Sequence, residues 1–179
     1  MDHLEALRAR IRDAAVSRPP APWAGPHTHA VGGLTEVGFA EDSDLLLIVS
    51  SQGRGVFNCA NGERIARDPS ELDDNCYDVH RLRGRGIGPI ADQSVRLVGL
   101  HGGGLASTSA DGWSVESITL SWPDQHLLLI EPRGSLYSPT ATFTRLAVER
   151  EVRAFGFSST GRTLLIATSS ELVLFPRSR

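Results

Sequence analysis

Residues 37–57 and 155–175 align without a gap as two copies of one unit, and this repeat limits the possible folds more than any other feature of the chain. Gly38-Phe39 falls on Gly156-Phe157, Leu46-Leu47-Ile48 on Leu164-Leu165-Ile166, Ser51 on Ser169 and Phe57 on Phe175; seven of the 21 pairs are identical. Each copy reads as an apolar strand, a polar turn, a second apolar strand, another turn and a short strand ending in Phe. A recurring unit of this kind cannot bury its apolar face alone and needs neighbours. Side chains two apart share a strand face. The two copies are therefore expected to be antiparallel hairpins. One should bury Phe39, Leu46, Ile48 and Phe57, the other Phe157, Leu164, Ile166 and Phe175.

The fold class that follows is mainly β: antiparallel hairpin repeats in a propeller-like or sandwich arrangement, with a short N-terminal helix. Three segments are expected. Residues 1–16 form an amphipathic helix, with Asp2 and Glu5 as a capping-box pair and Leu4, Leu7, Ile11 and Ala14 or Ala15 on one stripe. The stripe packs on the domain and leaves Arg8, Arg10 and Arg12 in solvent; a helix on a partner or a membrane surface is the alternative. Residues 17–30 form an extended linker, because Pro19, Pro20, Pro22 and Pro26 forbid a continuing helix. Trp23 docks on the main domain. Residues 31–179 form the β-repeat domain.

Within that domain Leu45–Val49 and Leu127–Ile130 are buried strands by length and composition. Asp111-Gly112 marks a hairpin between residues 105–109 and 113–120, and Trp122-Pro123-Asp124-Gln125 marks another turn. Residues 66–92 read as a long irregular loop. It carries Asp68, Glu71, Asp73 and Asp74, then Arg81, Arg83 and Arg85 with Gly84 and Gly86 between. The arginines are expected to pair with the acidic residues before them.

The turn-and-strand pattern resembles the WD-repeat and related β-propeller families. Gly156–Arg162 with Leu164–Ser169, Trp122-Pro123-Asp124 with Leu127–Ile130, and Val37–Ser51 carry the resemblance, over about 90 residues in three pieces. No Trp-Asp closes any unit; Phe57 and Phe175 stand at that position. The resemblance implies a scaffold for protein contacts and no catalytic role.

Chemistry-bearing motifs are sparse. His101-Gly102-Gly103-Gly104 matches the oxyanion-hole loop of some lipases and esterases, where backbone N–H groups hold a developing oxyanion. The Gly-x-Ser-x-Gly elbow those enzymes need is absent. A small hydrolase with His101 and Asp111 or Glu116 in one cleft is the enzymatic alternative. Cys76 and His80 have the spacing of a thiolate–imidazole pair, and Cys59, Cys76, His80 and His101 lack zinc-motif spacing. His27 and His29 alternate without a third ligand nearby.

Composition removes further classes. All 18 basic residues are arginine, so lysine chemistry and a P-loop are excluded. A net charge of −3 gives no general pull toward nucleic acid, although an Arg-dependent binder through Arg8, Arg10, Arg12 and Arg81–Arg85 is a second alternative. Two cysteines and no apolar leader or spanning run point to reduced thiols and a cytoplasmic setting. No cofactor is implied. The expected role is a non-enzymatic interaction module of the bacterial accessory or immunity type. It would bind another protein, or itself, through loops and strand edges. Trp113, Trp122, Arg81, Arg83, Arg85 and His101 are the candidate contact residues, although the two tryptophans read first as core.

Overall fold

The computed structural model describes residues 3–73, 76–138, 140 and 142–178. Helix α1 spans His3–Asp13. The strands are β1 (His27–Ala30), β2 (Leu34–Phe39), β3 (Leu45–Ser50), β4 (Gly53–Asn58) and β5 (Glu63–Asp68). They continue with β6 (Tyr77–Asp78), β7 (Arg83–Arg85), β8 (Ser94–Arg96), β9 (Val98–Gly99) and β10 (Ser114–Ser121). The last are β11 (Asp124–Ile130), β12 (Phe143–Glu149), β13 (Val152–Phe157), β14 (Thr163–Thr168) and β15 (Glu171–Pro176). They make four antiparallel sheets, ordered β5-β4-β3-β2-β9, β6-β7-β8, β10-β11-β12 and β1-β15-β14-β13.

The repeat is reproduced to the register. In the first copy Phe39 pairs Leu46, Gly38 pairs Leu47 and Val37 pairs Ile48, and on the other side of β3 Leu46 pairs Phe57. In the second copy Phe157 pairs Leu164, Gly156 pairs Leu165 and Phe155 pairs Ile166, and Leu164 pairs Phe175. The register shifts also correspond, between Leu34 and Glu36 in one copy and between Val152 and Ala154 in the other. The shared glycine has one cause in both. A Cβ at Gly38 would stand 2.1 Å from the Arg96 carbonyl oxygen, and one at Gly156 would stand 2.7 Å from that of Ala106. Another backbone crosses each strand at that point, so no side chain fits. Seven of the eight expected core side chains are buried, and Phe39 is half-buried against the cluster of Leu46, Ile48 and Phe57.

The sheets stack face to face, and the side-chain clusters give the order. Leu46, Ile48 and Phe57 meet Leu165, Ala167 and Leu174 between the two repeat sheets. The opposite face of the second copy, Leu164, Ile166 and Phe175, meets Val115, Leu127 and Leu129 of the β10–β12 sheet. The opposite face of the first copy, Leu47, Val49 and Val56, meets Val95, Leu97 and Ile90 beside β6–β8. Central strands β3, β11 and β14 are thus covered on both faces, which is why they read as continuous apolar runs rather than alternation. The same face of each copy points the same way along the stack, so the contact is head-to-tail and leaves two dissimilar ends.

One end is closed by α1. Leu7 and Ile11 pack on Leu128, Ile130 and Leu136. Arg145 donates from Nη1 to the Ile11 carbonyl at 3.0 Å, satisfying an orphan acceptor at the helix end where a cation is favoured. Arg8 and Arg12 stay exposed, while Leu4 is solvent-facing and leaves the expected stripe. Asp2, the expected cap, lies outside the described residues. No helix among the described residues is long and apolar enough to cross a membrane. At the other end the β6–β8 sheet turns Arg83, Arg85, Ser94 and Arg96 to solvent. A polar outer face of this kind is what a terminal layer of a repeat stack requires.

Three expectations are corrected. Residues 17–30, expected as an extended linker alone, also carry a strand: His27–Ala30 pairs with β15 from Leu174 to Glu171 and completes the last sheet. Its alternating half-buried and exposed pattern is that of an edge strand, without the apolar residues that make strands visible in sequence. Trp23 docks as expected, 5.5 Å from Phe157 and 6.0 Å from Trp113. Residues 66–92 are not one loop but contribute β6 and β7. Gly84 occupies the inward position on β7, where a Cβ would meet Leu97 Cδ1 at 2.7 Å, so the strand carries no apolar side chain to betray it. Residues 105–109 make bridges only, Ala106 to Phe157 and Thr108 to Ser114, and no strand.

Candidate functional site

A tight turn after β9 places His101. The Gly99 and Gly102 backbones exchange hydrogen bonds of 2.9 and 3.1 Å, and His101 stands at the tip beside β2. Glu36 on β2 is wholly buried. Its Oε1 accepts from the His101 backbone N–H at 3.1 Å and from Nδ1 at 2.7 Å. The Tyr77 hydroxyl lies 3.1 Å from the same Nδ1. Among the described residues no hydrogen bond reaches the buried Glu36 Oε2. Burial first, then the Glu36 charge, pushes the Tyr77 phenol well above its ordinary range. In the neutral tautomer that donates Nδ1–H to Glu36, Nε2 is left as an acceptor on a side chain 43% exposed. This carboxylate-oriented imidazole can take a proton from a bound hydroxyl or thiol.

The carboxylate partner is therefore Glu36 and not Asp111 or Glu116. Asp111 is engaged by Arg177 at 2.7 Å and by Ser109 Oγ at 2.7 Å, which together hold its carboxyl down at about 2, Arg177 contributing most. Glu116 lies on β10, in a different layer. Nothing in the sequence around Glu36 marks it, because a carboxylate inside a doubly covered strand stands out only once its neighbours are known.

The arginines form a second feature. Arg83 on β7 pairs directly with Arg96 on β8, and Arg85 follows two residues on, so all three share the outward face. Arg83 Nη1 donates to the Ser94 carbonyl at 2.7 Å. Arg54 holds the strand from behind, donating to the Arg85 carbonyl at 2.8 Å and to Asp68 at 2.6 Å. The expected pairing with the preceding acidic residues does not form among the described residues; Asp74 lies outside them. Asp68 is taken by Arg54, and only Arg81 has a carboxylate, Asp78 at 3.3 Å. Arg83 and Arg96 also border a cleft of about 400 Å³ floored by Phe39, Val98, Leu105 and Phe157.

The tryptophans separate. Trp113 is 6% exposed and packs on Trp23, so it belongs to the core and is not available at the surface. Trp122 is 87% exposed at the tip of the β10–β11 hairpin. Strand β10 is an edge of its sheet; beyond Val115, whose N–H donates to the Ser107 carbonyl, its outer side has no ladder partner among the described residues.

No hydrogen bond joins the Cys76 and His80 side chains among the described residues; Asp73 holds the Cys76 backbone and Asp78 that of His80. Both cysteines are free, and burial pushes the Cys59 thiol far up. His29 stacks on Phe57 with centroids 4.7 Å apart, and burial followed by His27 lowers its pKa. No group of three or more His, Cys, Asp or Glu side chains among the described residues is placed to hold a metal ion. No protein-family model matches this chain, and no curated protein matches it.

Proposed function

We propose that this chain is a non-enzymatic protein-interaction module: a stack of sheets that presents a hairpin tip and a free strand edge to another protein or to a second copy of itself. The observation that carries the reading is Trp122. A tryptophan held almost wholly in solvent forgoes the burial that usually stabilises such a residue, and aromatic anchors of this type dominate binding once a partner covers them. The adjoining edge of β10 offers unpaired backbone groups to a partner strand. An accessory or immunity-type role accords with such a scaffold.

The test compares the wild-type chain with Trp122→Ala. Sedimentation at micromolar concentration reads self-association, and affinity capture from the native host with mass-spectrometric identification reads a stoichiometric partner. The variant should lose the association while its folding stability stays within about 0.5 kcal/mol of wild type, as befits a surface substitution. Absence of any stoichiometric partner or self-association sinks the reading, as does undiminished association by the variant.

The Glu36–His101 contact favours a second reading, acid–base chemistry at His101 as in a small hydrolase. Under it, the chain turns over an activated ester such as a p-nitrophenyl ester, and His101→Gln lowers the rate roughly 100-fold or more. Equal rates for the two proteins, or rates no faster than buffer, remove it.

A further inference from the structure

The outward face of β7 and β8 is an unsolved electrostatic problem within the chain. Arg83 and Arg96 are directly opposed across the ladder. Like charges at such a pair repel, and Arg85 adds a third on the same face. Among the described residues no carboxylate lies within ion-pair distance of any of the three; the ion pairs formed around them are Arg81–Asp78, beside β6, and Arg54–Asp68, across β4 and β5 of the neighbouring sheet. Asp78, opposite Arg83 on the other side of β7, directs its oxygens to the His80 and Arg81 backbones and the Arg81 guanidinium. The chain as a whole is acidic, so this row is a local reversal of sign. Beside it opens the cleft floored by Phe39, Val98, Leu105 and Phe157.

We propose that this face is a docking site for an acidic segment of a partner protein, which pairs its carboxylates with Arg83, Arg85 and Arg96 and seats one large apolar side chain in the adjoining cleft. Planar guanidinium groups match carboxylates in bidentate geometry. An acidic peptide suits the face better than a nucleic acid. No aromatic is interleaved among Arg83, Arg85 and Arg96 on β7 and β8 for base stacking, and the cleft, where Glu41 and Asp42 disfavour any anion, takes the peptide's apolar side chain and not its carboxylates. A peptide with one apolar residue uses the row and the apolar floor together. The inference rests on the interaction-module reading and adds a second contact surface. Trp122 belongs to the β10–β12 sheet at the helix-capped end, so the two surfaces lie at opposite ends of the stack.

The experiment is a fluorescence-anisotropy titration at low and high salt. The probes are a labelled peptide of Asp and Glu flanking a single Phe, its Asn/Gln counterpart, and a single-stranded oligonucleotide of similar length. The full chain should bind the acidic peptide and lose affinity as salt rises. The Arg83→Gln/Arg85→Gln/Arg96→Gln variant should bind it roughly tenfold more weakly or worse, as should the neutral peptide to wild type. The variant's melting temperature should stay level or rise, because a repulsive row has been removed; a fall would assign the arginines a structural role and overturn the proposal. So would salt-independent binding, equal binding by the variant, or tighter binding of the oligonucleotide. Trp122→Ala should leave this titration unchanged, so failure here is separable from failure of the Trp122 reading.

Discussion

Replacing Asp44 by alanine is expected to destabilise the fold by about 2–4 kcal/mol, since hydrogen bonds to a charged group are among the stronger ones and their loss strands buried hydroxyls. Asp44 sits in the turn between β2 and β3. Its carboxylate accepts from Ser158 Oγ, Thr160 Oγ1 and Thr163 Oγ1, each at 2.8 Å. Those three lie in or at the end of the corresponding turn of the second copy, between β13 and β14, and Ser158 and Thr163 are nearly inaccessible. Ser158 Oγ in turn accepts from the Thr163 N–H at 3.1 Å. One side chain thus ties the two repeat sheets where their apolar contact ends. Asp44→Asn keeps the acceptor and loses the charge, so it should recover part of the loss. Chemical denaturation of the three proteins decides the matter: an alanine variant as stable as wild type would mean that the hydroxyls find water equally well.

The second large effect tests the repeat. Leu46→Ala and Leu164→Ala change equivalent positions, both completely buried. Each should cost about 2–5 kcal/mol, the range for a truncated core leucine. The two sites share their ladder neighbours, Phe39 and Phe57 in one copy and Phe157 and Phe175 in the other. They differ in what they face. Leu46 packs toward the second copy, while Leu164 packs toward the β10–β12 sheet and the Trp23–Trp113 pair. Similar costs would show that the local ladder dominates; a larger cost at Leu164 would locate the stronger packing around the tryptophans. A loss well below 1 kcal/mol at either position would contradict the packing described.

The repeat, its hairpins and its apolar runs were legible in the sequence because strand periodicity and turn chemistry are local. Leu45–Val49 and Leu127–Ile130 announce themselves in this way. Elements that keep their inward positions small did not: β7 turns Gly84 inward, and β1, at a sheet edge, offers only His, Thr and Ala. The candidate site was half legible. His101 drew notice through its glycines, but Glu36, distant in sequence, meets it only because β2 pairs with β9. The arginine run was visible, yet the lack of a carboxylate partner at Arg83 and Arg85 among the described residues was not. Arg96 joins the row through a ladder that sequence periodicity does not reveal, and Asp68 is drawn away by Arg54. Trp113 and Trp122 look alike in sequence. Only the packing separates the one that closes a core from the one that stands in solvent.

The pairing of β1 with β15 has a consequence for the order of assembly. The last sheet takes its edge strand from far upstream of its other three, so its edge pairs have the greatest sequence separation of any strand ladder among the described residues. Such contacts form late, after the loop-closure entropy of the intervening segment has been met. A nascent chain leaving the ribosome carries His27–Ala30 without a ladder until Glu171–Leu174 is made. The first repeat copy can pair its own strands long before, but the face built from Leu46, Ile48 and Phe57 stays uncovered until the second copy arrives. During synthesis that face is open to chaperones and to wrong partners.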